Sequence, residues 1–165
     1  MEVLECIRTR RSVRRYTDET IKEEVIKEIL KTAVTAPSGK NGQPWRFRIV
    51  TNQKDIEQIS ELSVYKGWMR TAPCFIVVFL DKARSYSYVK DVQSCGASMQ
   101  NILLAAHSYK LGACWIGEIL SKAEDVKAIM GIENEHLELM GVIALGHPAG
   151  RAVSPGRKEL EAFFV

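Results

Sequence analysis

The sequence predicts an α+β domain built on a small mixed sheet, and three observations carry that expectation. The order of segments, helix, helix, strand, helix, strand, long helix, strand, helix, strand, reads as an α+β pattern with a small mixed sheet. Cys74–Leu80 is apolar throughout and Leu137–Leu145 nearly so, as strands buried on both faces are. Residues 88–110 carry apolar side chains at alternating steps of three and four, for longer than a strand runs. The chain has 165 residues, and no linker or composition shift divides it. A single domain over residues 1–165 is expected.

Residues 2–9 read as a short first helix that ends in an arginine-rich segment. Thr20-Ile-Lys-Glu23 has the form of a capping box, and Ile21, Val25, Ile26, Ile29, Leu30, Ala33 and Val34 then share one helical face. Ala36-Pro37 ends that helix. Ser38 to Pro44 is dense in turn residues. Trp45–Val50 alternates as a strand, with Trp45, Phe47 and Ile49 on one face. Residues 53–62 form an exposed helix with Ile56, Ile59 and Leu62 inward.

In the long helix, Val89, Val92, Gly96, Met99, Leu103 and Ala106 form the apolar stripe, and Cys95 and Ile102 widen it. So broad a stripe needs cover on more than one side, which predicts a partner subunit. Gly96-Ala-Ser98 would admit a second helix closely. Leu111–Ile116 is a short strand. Ser121-Lys-Ala-Glu124 is a second capping box, opening a helix that Gly131 stops. The tail from about residue 148 to 165 is irregular but ends in Phe163-Phe164-Val165, so docking on the core or on a neighbour is expected.

Hydrophobic residues make up 46% of the chain and charged residues 26%, the balance of a folded protein. The net charge of +3 does not by itself indicate a nucleic-acid partner. Residues 1–50 nevertheless hold 11 Lys/Arg against 7 Asp/Glu. The four cysteines, Cys6, Cys74, Cys95 and Cys114, are scattered without a CxxC pair, which argues against a disulfide framework and a zinc site. The longest uncharged stretch, Val92–Tyr109, contains Gln, Asn, His and Ser and would not span a bilayer. With no signal-peptide pattern at the N-terminus, a cytoplasmic protein is predicted.

His107, His136 and His147 stand in no recognised nucleophile arrangement, and no catalytic side chain is assigned. Gly112 to Gly117 has the glycine spacing of a phosphate loop, but Glu118 stands where the lysine must be and would repel a triphosphate. The segment Arg10-Arg-Ser-Val-Arg-Arg15 is more informative, because guanidinium forks match phosphate oxygens and Ser12 adds a hydroxyl. By spacing alone it reads equally as a solvated loop, a nucleic-acid patch, or a pocket for one phosphate completed by Arg157 and Lys158.

Five segments together resemble the nitroreductase family of flavin enzymes along nearly the whole chain. They are Arg10-Arg-Ser-Val-Arg-Arg-Tyr16, Ala36-Pro-Ser-Gly-Lys-Asn-Gly-Gln-Pro-Trp-Arg-Phe47, Ala72-Pro73, Leu111-Gly-Ala-Cys-Trp-Ile-Gly117, and Leu145-Gly-His-Pro148 leading to Arg157-Lys158. The resemblance implies a nitroreductase-like fold whose long helix lies at a homodimer interface, with FMN held between subunits. It implies that Arg10, Arg11, Ser12 and Arg14 contact the flavin from one subunit. Arg10, Arg157 and Lys158 would meet the phosphate, and Arg14 the pyrimidine edge. Pro37, Ser38, Gly39 and Asn41, supported by Gln43, would approach from the other subunit.

Ile116, Gly117 and Glu118 would line the ring, although larger family members often show Glu then Gly where this chain has Gly then Glu. The segment between Ser63 and Thr71 would be a short lid. The implied activity is hydride transfer from NADH or NADPH through FMN to a small acceptor such as a nitroaromatic or quinone, in a ping-pong scheme. Reductive dehalogenation and flavin fragmentation are same-fold alternatives. From a different class, a nucleic-acid or anion-binding module would use the Arg8–Arg15 cluster without a cofactor.

Overall fold

Alternation along β2 (Cys74–Asp81) sets the architecture. Its side chains are buried on both faces, and each face has its own core. Phe75, Val77 and Phe79 pack with α3 (Gln53–Glu61), α4 (Lys66–Met69) and α6 (Ala123–Ile129), through Ile56, Ile59, Met69 and Val126. Ile76 and Val78 pack on the opposite face with α2 (Glu23–Ala33) and α5 (Tyr88–Ser108), through Ile26, Ile29, Met99 and Ile102. Each such side chain contributes about 1.5–3 kcal/mol when removed from water. The computed structural model describes residues 1–153 and 156–165.

The four strands run in the order β1-β2-β4-β3, with β1 at Trp45–Val50, β3 at Gly112–Ile116 and β4 at Leu137–Gly146. Every pairing of these named strands is antiparallel. The predicted α+β class therefore stands, while the mixed character of the sheet reduces to one parallel bridge, Ser12 to Ala113, on the outer edge of β3. A register shift between Val78 and Phe79 bulges β4 at Met140.

Both predicted capping boxes fail, for local reasons. α2 starts at Glu23 with Lys22 at its N-cap and no side-chain cap. Glu23 pairs with Lys27 at 2.6 Å instead of reaching back to Thr20. Before α6, residues Glu118–Lys122 turn as a 3-10 helix, and the Ser121 hydroxyl donates to Glu118 O at 3.3 Å. An α-helix that does have a side-chain cap is α3, where Asn52 accepts from Lys54 N. Gly131, with φ +63, follows α6 as expected.

The Trp45–Phe47–Ile49 stripe is graded. Trp45 is buried beside Leu80 and Cys95, Phe47 is half-buried, and Ile49 is exposed, since the α5 cover lies at the Trp45 end of the edge strand. In α5, Met99, Leu103 and Ala106 are buried, whereas Val92 and Gly96 are half-covered and Val89 is exposed. The sheet and α2 thus cover the C-terminal part of α5 within one chain. Val3, Leu4 and Ile7 of α1 (Val3–Thr9) also face solvent, as do Leu160, Phe163 and Phe164 around the last 3-10 turn. No helix among the described residues is long and apolar enough to cross a membrane.

Candidate active site

The arginine segment is held along the outer edge of β3. Val13 N donates to Ala113 O at 3.0 Å, Thr17 N to His147 O at 2.9 Å, and Ala149 N to Arg15 O at 3.0 Å. Tyr16 is buried, and its hydroxyl donates to Val13 O at 2.6 Å and lies 3.3 Å from Ala144 O. Burial pushes that phenol well above its usual range. The strip can lie this close because Gly112 and Gly146, paired across β3 and β4, carry no side chains. A Cβ on Gly112 would stand 2.7 Å from Val13, and one on Gly146 would stand 2.9 Å from the Tyr16 ring.

This arrangement sorts the side chains of the strip between core and solvent. Val13 and Tyr16 enter the core, while Arg14 and Arg15 are exposed and Arg10, Arg11 and Ser12 are half-buried. Arg11 Nη1 donates to Arg8 O at 2.7 Å and Arg10 O at 2.8 Å. Among the described residues none of Arg10, Arg11, Arg14 and Arg15 forms an ion pair. Burial, with the nearby charges of Arg157 and Arg11, lowers the proton affinity of Arg10. Guanidinium groups free of carboxylate partners beside a partly dry wall suit an anion.

Two cavities flank the strip. One, of about 800 Å³, is lined on its basic side by Arg10, Arg11, His107, Lys110 and Arg151 and on its apolar side by Val13, Leu103, Leu111 and Ala113. The other, of about 450 Å³, lies between Ser12–Arg15 and Ala149–Val153. His107, Lys110 and Arg151 were not among the predicted site residues. Nothing in their local sequence marks them, since the fold alone brings the end of α5 and the segment after β4 to the strip. Lys158 is exposed on the tail.

The loop from Ser38 to Pro44 is built differently. Lys40, Asn41 and Gln43 all have positive φ, at 52°, 53° and 47°. Such conformations cost non-glycine residues about 1–3 kcal/mol each and concentrate at ligand-holding sites. The loop is braced at several points. Ser38 Oγ accepts from Gln43 N at 3.0 Å, and Arg46 donates to Gln43 O at 3.2 Å while pairing with Asp81 at 2.9 Å. The Tyr86 ring packs on Gly39, with the Lys40 ammonium 4.3 Å from its centroid. Asn41 and Gln43 line a separate cavity of about 490 Å³ with Arg46 and Arg84; Pro37 is exposed, and Ser38 and Gly39 are half-buried.

Ile116 is buried, while Gly117 and Glu118 are exposed at the end of β3. Glu118 Oε2 accepts from the buried Ser63 at 2.7 Å, tying this turn to the expected lid. Within that lid Met69 is fully buried, and Tyr65 and Trp68 stack at a tilt with centroids 6.1 Å apart. Within one chain the predicted residues thus fall into four groups: the arginine strip, the strained loop, the Ile116–Glu118 turn, and Arg157 and Lys158, both exposed on the tail, with the Arg157 charge near Arg10. All four cysteines are free and buried, and burial pushes the Cys74 and Cys95 thiols up to about 12.

The nitroreductase family profile matches residues 7–64 and 61–147. A protein of Methanothermobacter thermautotrophicus named for NADH dehydrogenase/NAD(P)H nitroreductase activity is 40% identical over 162 residues, covering 97% of this chain and 83% of its own. An NAD(P)H-dependent FMN reductase of Bacillus subtilis is 26% identical, over 98% of this chain and 72% of its own. The crystal structure of a Desulfovibrio desulfuricans nitroreductase in complex with FMN superposes with a TM-score of 0.95 at 39% identity, covering 100% of this chain and 96% of that one. Fold, segment order and near-complete coverage agree, and this chain belongs to the nitroreductase family.

Proposed function

We propose that the protein is an FMN-dependent NAD(P)H oxidoreductase that works as a homodimer, with each flavin held between subunits. The observation that carries this reading is the strip of four arginines, none ion-paired among the described residues, fixed by backbone hydrogen bonds beside a basic cavity. Relatives named as FMN reductase and NADPH-flavin oxidoreductase, and the FMN-bound neighbour, support it.

The residues present fit such a cofactor. Arg10 and Arg157, whose positive charge lies near enough to lower the proton affinity of Arg10, with Lys158 on the same tail, suit the phosphate. Arg11 and Ser12 supply donors beside it. Arg14 suits the pyrimidine edge, where a positive charge favours electron uptake. Pro37, Ser38, Gly39, Asn41 and Gln43 form the braced loop that closes the site from the second subunit, and Ile116, Gly117 and Glu118 line the ring. The flavin supplies the redox chemistry, taking hydride from NADH or NADPH and passing it to a nitroaromatic or quinone.

The exposed side chains Val3, Leu4, Ile7, Val89, Phe163 and Phe164 support dimerisation, since burying each is worth about 1.5–3 kcal/mol. Purified protein that is yellow, sediments at twice 18.6 kDa and oxidises NAD(P)H with a panel of acceptors meets the expectation. Protein that stays colourless with FMN and binds RNA with a steep salt dependence would overturn it.

A further inference from the structure

His107 lies near the C-terminal end of α5 and lines the basic cavity with Arg10, Arg11, Lys110 and Arg151. Its Nε2 is 2.9 Å from Thr9 Oγ1. That hydroxyl donates its one proton to Glu5 O at 2.7 Å, so Nε2–H is the donor to Thr9. The ring is fixed through one nitrogen, and Nδ1 is the nitrogen that gains or loses a proton. Burial and the charges of Arg10 and Arg11 hold the imidazole below the usual histidine value, with Glu5 acting in the opposite sense. Lys110, Arg151 and Met1 also line the cavity. A dianion among these groups reverses the field at the ring.

We propose that His107 is a proton-coupled anion contact: a phosphomonoester dianion bound by Arg10 and Arg11 draws a proton from solvent onto His107 Nδ1. The identity of that ligand as the phosphate of FMN rests on the flavin reading above; the proton uptake does not. An imidazole held low in the free protein and raised by the anion takes up a proton between those two values. Affinity then rises as pH falls through that window, by up to tenfold per pH unit. The window opens below about pH 6.5 and extends upward to the anion-bound value.

Calorimetric titration of FMN into the protein at about pH 6.5, in buffers of different ionisation heat, counts the protons taken up. It is run on the wild type and on His107→Gln, whose amide can still donate to Thr9 but cannot titrate. The expected result is that the wild type takes up as much as one proton more than the variant, and that its affinity gains correspondingly more as pH falls. Proton changes on the phosphate itself are common to both proteins and cancel in that difference. Riboflavin, which lacks the phosphate, should show no uptake in either protein.

Equal uptake and equal pH slopes in the two proteins overturn the proposal while leaving the flavin reading intact. If neither FMN nor riboflavin binds, the flavin reading fails, and the same titrations with inorganic phosphate decide the role of His107. Should the variant not fold, the His107 ring resonance of the wild type gives the answer. Its titration midpoint must move upward on adding FMN or phosphate, and an unmoved midpoint overturns the proposal.

Discussion

Ser63 Oγ donates a 2.7 Å hydrogen bond to Glu118 Oε2, joining the segment before α4 to the turn after β3. The same oxygen accepts from Tyr65 N at 3.1 Å, so one side chain fixes the start of α4 and its link to the candidate site. In Ser63→Ala, stability should fall by about 1 kcal/mol, and amide exchange should accelerate locally over residues 65–69. Hydrogen-exchange mass spectrometry checks this. Unchanged exchange would mean that burial of Met69 alone holds α4.

Gly112→Ala should be costly at a position where the substitution looks conservative. Its Cβ would sit 2.7 Å from Val13, so the arginine strip must move outward. A loss of about 1–3 kcal/mol and weaker FMN binding are expected. Gly67→Ala, with nothing within 4 Å, should change stability by less than about 0.5 kcal/mol. Urea denaturation of the two variants makes the comparison.

Arg10→Ala should weaken FMN binding more than Arg15→Ala. Arg10 is half-buried beside Arg11 and Arg157, whereas Arg15 is exposed. Loss of a charge-assisted hydrogen bond costs roughly 1.5–3 kcal/mol, about tenfold or more in affinity. Equal losses in a fluorescence titration would mark the strip as a diffuse basic surface.

Acid should weaken the fold through Asp91. Burial raises its pKa, but hydrogen bonds from Ser87 N, Ser85 Oγ and Tyr86 N, all to Oδ2, outweigh burial and hold the group below its ordinary value. Its stabilisation is therefore complete above the unfolded value of about 3.9 and is lost as pH falls through the lower folded one. Asp91→Asn should lose about 1–3 kcal/mol at neutral pH and show a flatter decline below about pH 4. Denaturant midpoints between these conditions test it. Because Tyr86 packs on Gly39, the variant should also loosen the strained loop.

If nicotinamide and acceptor occupy the same place in turn, initial rates should give parallel double-reciprocal lines, with competitive inhibition at high concentrations of either. Intersecting lines would show that both bind together.

The two inner strands and both core faces were legible because apolar runs and helical stripes report burial directly. Phe75 to Leu80 and Met99 to Ala106 are examples. The failed capping boxes show the limit of short patterns. Thr20 and Ser121 had suitable neighbours, but Lys27 competed for Glu23 and a 3-10 turn occupied Ser121. The arginine strip was visible as composition, and its importance came from the order of five segments. Its supports were not: Gly112 acts through Val13, ninety-nine residues earlier in the chain, and His107 through Thr9. Such pairings depend on strand register, which no local window contains.

The attachment of the arginine strip also fixes when the strip can take its folded form. Val13 bonds to Ala113, and Tyr16 reaches Ala144 across 128 residues. Contacts of such long sequence separation close late, after local helices are available. A growing chain therefore carries its arginines unattached until β3 and β4 have been made. It gains a place to put a phosphate only once β4 has emerged. On the flavin reading proposed above, the cofactor binds finished chains alone, and a chain cut just before β4 lacks the seat of Tyr16 at Ala144.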